Sequence, residues 1–378
     1  MIYLSYICIL LLCSSYFDFG RPHYKTRQFA YLIICSLFVL LAGLRYMNGA
    51  DTENYYQIFK FSPYIDSLHS SDFSVQAIQP GFVIFVAFCK TIINNFTFQL
   101  LVEAFFVNTV IFIFINKYSP FPFLTVLVYF ILNYLEFNME IMRECLAVAF
   151  GLLAFMSYDN KRNILAIFCC LLAYSMHVSS IVLLLFPFIS NLQFNKRNVY
   201  IVLLVTIFIP FIYVMIPNID IYAELIFKQS DAKIAQYSVQ EFNKGLNYNY
   251  YIFQYLRYVV LPFMIVIYVN KRRSTKFVGF VYAFSVLHML GMLSYAFYRF
   301  ANYFAPFYWI YVAIFIKDII TNNKILRNLR FLSISLAVVL LLMFYQRGLL
   351  SYEKTLDSRI YQRYIPYKSI LIDGTYKP

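Results

Sequence analysis

The sequence predicts an all-α fold, a polytopic membrane bundle of about 11 to 13 membrane elements, some short or re-entrant. Three observations predict it. Hydrophobic residues make up 62% of the 378 residues and charged residues only 13%, against about 25% in soluble domains. The apolar content is spread along the whole chain, which excludes an anchor carrying a soluble head. No β-barrel alternation is visible, and helices are then the remaining way to satisfy backbone groups in lipid.

The elements follow from the apolar runs, which fall near 2–17, 29–46, 79–93, 98–115, 121–135, 139–158, 164–190, 199–216, 250–269, 277–297, 300–316 and 331–346. The first begins at Met1 without a basic leader region or a small-residue cleavage site, and is expected to be retained as a span. Runs 79–93 and 121–135 are short for a crossing that needs about 20 residues. The net charge is +13, and the lysines and arginines gather in short loops (21–27, 161–162, 196–197, 271–276, 317–330), as cytoplasmic loops do. That placement argues against a nucleic-acid partner. It puts loops 47–78 and 217–249 and the tail 347–378 outside, beyond a single transmembrane domain at 1–346.

Two parity problems locate irregular elements. If 164–190 were one span, Lys161 and Lys196 would lie on opposite sides. Two short helices turning near Ser175–Ser179 remove the conflict, each reaching only about 18 Å at 1.5 Å per residue. Such a pair must be buried in protein or line a cavity, and His177 lies at its turn. Between 47 and 121 the count fails again, which requires another short element there or a different sidedness. Segment 51–66 has the spacing of an amphipathic helix on the membrane surface.

Charge sits where it is costly. Arg45, Glu140, Arg143, Glu144, His177, Arg257 and Arg299 lie inside apolar runs or at their mouths, where a charge costs about 3 kcal/mol and usually marks a site or a pathway. A mostly cationic set suggests an anionic substrate. In RYMNGADTENY, Gly49 permits a tight turn, Asp51 or Thr52 caps a helix, and Arg45 and Asp51 are candidates to contact an anion and a polar substrate. In EFNMEIMRECLA, the spacing puts Glu136, Glu140, Arg143 and Glu144 on one helical face, with Glu140 holding Arg143 as a phosphate clamp. A neutral His177 can accept a proton from a hydroxyl, whereas His288 lacks such context and reads as structural. Arg257 lies about two turns into its run, and Arg299 has Tyr295 and Tyr303 four residues away on either side, placed to stack on it. Glu103 is a candidate partner for one of the cations. The seven cysteines all lie in apolar runs, and no nucleotide-binding or metal-ligand motif is present, so no metal or cofactor is expected.

In order along the chain, Arg45-x3-Gly49-x-Asp51-Thr52-x2-Tyr55, Asn138-x4-Arg143-Glu144-x2-Ala147, His177-x-Ser179-Ser180 and Arg299-x3-Tyr303 resemble the marks of the EpsG/Wzy group of bacterial oligosaccharide repeat-unit polymerases. Family members often carry Gln where Glu136 and Glu144 stand. The resemblance implies a GT-C-like glycosyltransferase of the bacterial inner membrane, with its site facing the periplasm or exterior. It implies undecaprenyl-pyrophosphate-linked oligosaccharides as substrates and, besides membrane lipids, a chain-length regulator as a partner. Arg143 and Arg299 would then clamp pyrophosphate, with Arg45 and Arg257 in support. His177, and after it Asp51, would be the base, and Glu140 and Tyr303 would be supporting residues. Two other classes also place cations in a membrane cavity. A lipid-linked-oligosaccharide flippase would show internal repeats, and none is visible. A membrane O-acyltransferase would put its His and Arg at a cytoplasmic entrance.

Overall fold

The structure is a computed structural model that describes residues 2–20, 22–69, 78–215, 248–273, 275–291, 295–346, 352–354, 360–372 and 374. Its elements are α1 (Ile2–Cys13), continued by a π turn at Ser14–Asp18, α2 (Tyr24–Gly43), α3 (Thr52–Phe61), α4 (Pro80–Ile92), α5 (Phe96–Tyr118), α6 (Pro122–Tyr129), a π turn at Phe130–Tyr134, α7 (Leu135–Met139), α8 (Met142–Asp159) and α9 (Asn163–Met176). A 3-10 helix at Val178–Leu185 leads to α10 (Phe186–Ser190) and α11 (Lys196–Met215). After residues 216–247 come α12 (Tyr248–Tyr255), a π turn at Leu256–Val260, α13 (Leu261–Asn270), α14 (Val278–Gly291), α15 (Tyr295–Ala301), α16 (Ala305–Asn322), α17 (Lys324–Asn328) and α18 (Arg330–Tyr345). Two short antiparallel strands, β1 (Tyr352–Lys354) and β2 (Ile360–Gln362), pair Tyr352 with Gln362.

Among the described residues four helical stretches are long and apolar enough to cross a membrane: Tyr24–Gly43, Phe96–Tyr118, Pro122–Met139 and Ile252–Asn270. Shorter apolar helices such as Pro80–Ile92 and Val278–Gly291 accompany them. α9 exposes Ile164, Ile167, Phe168 and Leu171 to its surroundings, an apolar surface that suits lipid rather than water. The sequence reading of an all-α polytopic membrane protein therefore stands.

The chain divides into two compact units, residues 1–177 with 316–378 and residues 178–315. In unit 1 the core is aromatic. Phe38 packs edge-on against Tyr134 at 4.6 Å and Phe112 at 5.2 Å, and the Tyr134 hydroxyl donates to the Phe38 carbonyl at 2.5 Å. A buried network locks α5 to α6 and α7. Asn108 donates to the Asn138 side-chain oxygen at 2.7 Å, Asn138 donates to the Tyr129 hydroxyl at 2.8 Å, and that hydroxyl donates back to Asn108 at 3.3 Å. With those bonds made, Asn138 acts as a packing residue that fixes the end of α7. At another edge of unit 1, Asp18 accepts from the Leu124 amide at 2.7 Å and lies 3.6 Å from Arg27. In unit 2, Phe280 stacks on Phe307 at 4.2 Å and Phe284 on Tyr308 at 4.7 Å.

Two breaks shape the sites. The run 164–190 breaks at His177, whose backbone is extended (φ −154°, ψ 132°), inside the turn the basic loops require. The run 139–158 breaks as well, and there the sequence reading is corrected. α7 ends at Met139, Glu140 and Ile141 leave helical geometry, and α8 starts afresh at Met142. Glu136, Glu140, Arg143 and Glu144 therefore do not lie along one helix. The reason is tertiary. The Met139 carbonyl faces the Thr52 hydroxyl at 3.2 Å, and Gly49 packs against the same carbonyl.

Candidate functional site

In unit 1, α2 delivers Arg45 to a turn that closes at Gly49, whose φ of +97° favours glycine. α3 follows, and it buries Thr52, Tyr55 and Phe59 along one face, as its amphipathic spacing predicts. Asp51 stands at the N-cap position without a side-chain cap bond, while the Thr52 hydroxyl donates to the Asn48 carbonyl. Asp51 instead accepts from the Asn54 amide at 3.3 Å on the exposed side of the turn. Arg45 is only 1% exposed, and its Nη1 donates to the Ala42 carbonyl at 2.7 Å. Glu103 on α5 is buried within electrostatic range of that guanidinium. One turn before it, Gln99 is 0% exposed, and neither polar atom of its amide has a hydrogen-bond partner among the described residues.

Arg143 is the second residue of α8, immediately after the break. Its Nη1 donates to Gln79 Oε1 at 3.3 Å, and its guanidinium hydrogen-bonds the Tyr55 hydroxyl. Burial pushes the Tyr55 pKa up against the pull of Arg143 beside it, so the phenol stays protonated at neutral pH. Both partners are neutral, and the guanidinium keeps its charge for an anion. Its Nε–H is buried with no acceptor among the described residues, the kind of unsatisfied donor that asks for an explanation.

Glu140 does not hold Arg143. It receives Arg363 from the C-terminal tail in a two-pronged ion pair, with Nε to Oε1 and Nη2 to Oε2 each at 2.5 Å. It also accepts the Ala50 amide at 3.3 Å. The tail forms a strap over the Arg45–Gly49 turn. The Tyr46 amide donates to the Lys368 carbonyl, the Gly49 amide to the Arg363 carbonyl and the Ile370 amide to the Leu44 carbonyl, at 2.9 to 3.0 Å. Asn48 clasps the Pro366 carbonyl at 3.1 Å and the Lys368 amide at 2.8 Å. Arg363→Ala is expected to cost about 3 kcal/mol, the low end for breaking a buried pair, because it strands a carboxylate whose side chain is 6% exposed. Glu140→Gln is expected to cost less, since the Arg363 side chain is 28% exposed and can turn to solvent. Thermal unfolding of the purified variants checks this order.

Unit 2 holds the other two arginines. Arg257 lies in the π turn between α12 and α13, a helical irregularity often found at functional sites. Its guanidinium covers the Tyr258 ring at 4.7 Å. The Tyr258 ring stacks on His288 of α14 at 3.9 Å. Arg299 is on α15, and two residues beyond that helix Tyr303 shares a hydrogen bond with Ser179 at 3.0 Å through its hydroxyl. His177, at the break that closes unit 1, is buried at 4% exposure. Unit 1 thus brings together Arg45, Asp51, Tyr55, Glu103 and Arg143, and unit 2 holds Arg257 and Arg299. Loop 217–249, expected from the basic loops to face outside, lies outside the described residues up to 247.

Sequence reasoning missed Arg363, Gln79 and Gln99. Arg363 lies in a tail of mixed charge with no periodicity to align it. Gln79 had a usable signal, since it immediately precedes Pro80 at the start of a helix.

The fold defines a class, the multi-pass helical membrane protein. Within that class the chain belongs to the EpsG family of Wzy-type polymerases, whose profile matches residues 28–369. Membership indicates a polysaccharide-polymerase type of function, consistent with a glycosyltransferase. No curated protein and no solved structure matches the chain significantly.

Proposed function

We propose that the chain is a surface-polysaccharide polymerase. It transfers a growing glycan from undecaprenyl pyrophosphate to the non-reducing end of a lipid-linked repeat unit, at the outer face of the bacterial inner membrane. The observation that carries this is the family match across residues 28–369, and the chemistry of the two units agrees with it. Donor and acceptor both bear a lipid diphosphate, so cations are needed at membrane depth in more than one place. Arg143 with Arg45, and Arg299 with Arg257, are assigned to diphosphate oxygens, which guanidinium groups bind in a forked geometry. Arginine stabilises the charge that develops on a leaving diphosphate by electrostatics alone. Tyr303 supports unit 2 by tying α15's end to the 3-10 helix through Ser179, and Glu140 supports unit 1 by fixing the tail. His177 and Asp51 are the sequence candidates for the hydroxyl proton. A chain-length regulator is the protein partner such a polymerase would have.

Deleting the gene in its host and running the surface glycan on a gel tests the proposal. The expected result is a single repeat unit on the lipid core, or short glycan, with the ladder restored by the wild-type copy. A full-length ladder in the deletion strain would overturn it.

A further inference from the structure

His288 read as structural from sequence, and the structure gives it a context that the sequence could not. The ring is 4% exposed and enclosed by aromatic side chains: Tyr258 stacked at 3.9 Å, Phe284 at 4.1 Å and Tyr298 edge-on at 5.1 Å. Its Nδ1 lies 2.8 Å from the Phe284 carbonyl oxygen. A carbonyl oxygen only accepts, so Nδ1 carries the proton and the lone pair of the neutral ring is on Nε2. Nε2 has no hydrogen-bond partner among the described residues. Arg257 joins the same cluster, its guanidinium 4.7 Å from the Tyr258 ring that His288 stacks on. A proton acceptor with a fixed tautomer therefore sits one ring away from a guanidinium, on the helix next to a π turn.

We propose that His288 is the general base of the transfer and that unit 2 holds the donor diphosphate. This rests on the polymerase function proposed above. The acceptor hydroxyl oxygen forms the new bond to the donor's anomeric carbon. The bond from that carbon to the diphosphate oxygen breaks, and its electron pair leaves on the diphosphate. The hydroxyl proton passes to His288 Nε2, and the resulting imidazolium returns it to solvent or to the released diphosphate. One feature suits this role. The Nδ1 bond to the backbone holds the ring in one orientation and leaves the Nε2 lone pair for the proton, as an orienting group does for other catalytic histidines. Arg257 meets the charge on the leaving group.

The test uses the full-length protein, purified and reconstituted, with lipid-linked repeat units extracted from a strain lacking the gene. His288→Phe keeps the aromatic packing and removes the base, and His288→Gln keeps polarity at the Nε2 position. His23→Gln, at an exposed ring just before α2, is the comparison. We expect kcat to fall at least about 100-fold in both His288 variants, with KM within about threefold, and His23→Gln to retain most of its activity. If His288→Phe keeps kcat within about fivefold of wild type, the ring is a packing residue and the proposal falls. It falls equally if neither His288 variant yields folded protein, or if His23→Gln loses as much kcat as they do. A wild-type protein that makes no polymer from these substrates defeats the polymerase function itself, whereas polymer from wild type and His288→Phe alike defeats only the assignment of the base.

Discussion

Arg143→Ala is expected to abolish the surface-polysaccharide ladder while the protein still accumulates in the membrane. The side chain starts a helix, and its described partners are the neutral Gln79 and Tyr55. Removing it leaves no buried carboxylate stranded, so the cost to folding is small. The cost to activity is large, because one of the two lipid diphosphates loses its charged, forked clamp. Arg143→Lys keeps the charge and loses the fork, so it is expected to fall between wild type and Ala. Arg299→Ala should match Arg143→Ala in direction. Gel analysis of surface glycan, with membrane protein level measured alongside, checks all three. A normal ladder from both alanine variants would remove these arginines from the site.

Gly49→Ala is expected to remove folded protein rather than slow it. The backbone there has φ +97°, and an added Cβ would sit 2.0 Å from the Met139 carbonyl oxygen. A non-glycine residue at such an angle costs about 1 to 3 kcal/mol before any clash is counted. The clash cannot be relieved locally, because the Met139 carbonyl also faces the Thr52 hydroxyl and the Gly49 amide is bonded to the Arg363 carbonyl. Moving one strand of this knot moves the helix break, the α3 turn and the tail together. The measurement is the amount of monodisperse protein extracted from the membrane. Wild-type yield and unfolding temperature from Gly49→Ala would show that the turn adapts.

How much of this was legible depends on which physical signal each residue carries. The break at His177 was legible because basic loops must lie on one side of a membrane, and that constraint does not depend on packing. α3 was legible from its spacing, and the Gly49 turn from glycine itself. The break at Glu140 was not, because Met139-Glu140-Ile141-Met142 contains neither Gly nor Pro and continues a helical pattern. It is imposed from outside by Thr52, Gly49 and Arg363, the last more than 200 residues away in sequence. For the same reason Glu140 was paired with Arg143, its helical neighbour by spacing, when its partner is on the tail. His288 shows the converse. In sequence it is a lone histidine in an apolar run, and only the meeting of α14 with the π turn supplies Tyr258 and Arg257. Buried charge, then, marked the neighbourhood of the candidate site, but partners between distant segments had to come from the fold.

The most direct test of the central claim is reconstitution. The purified protein in lipid bilayers is given only its lipid-linked repeat unit, without nucleotide sugar or ATP. Polymers of increasing repeat number should form, with one undecaprenyl pyrophosphate released for each linkage made. Repeat units that stay single and lipid-bound, or that cross the bilayer without being joined, would contradict it.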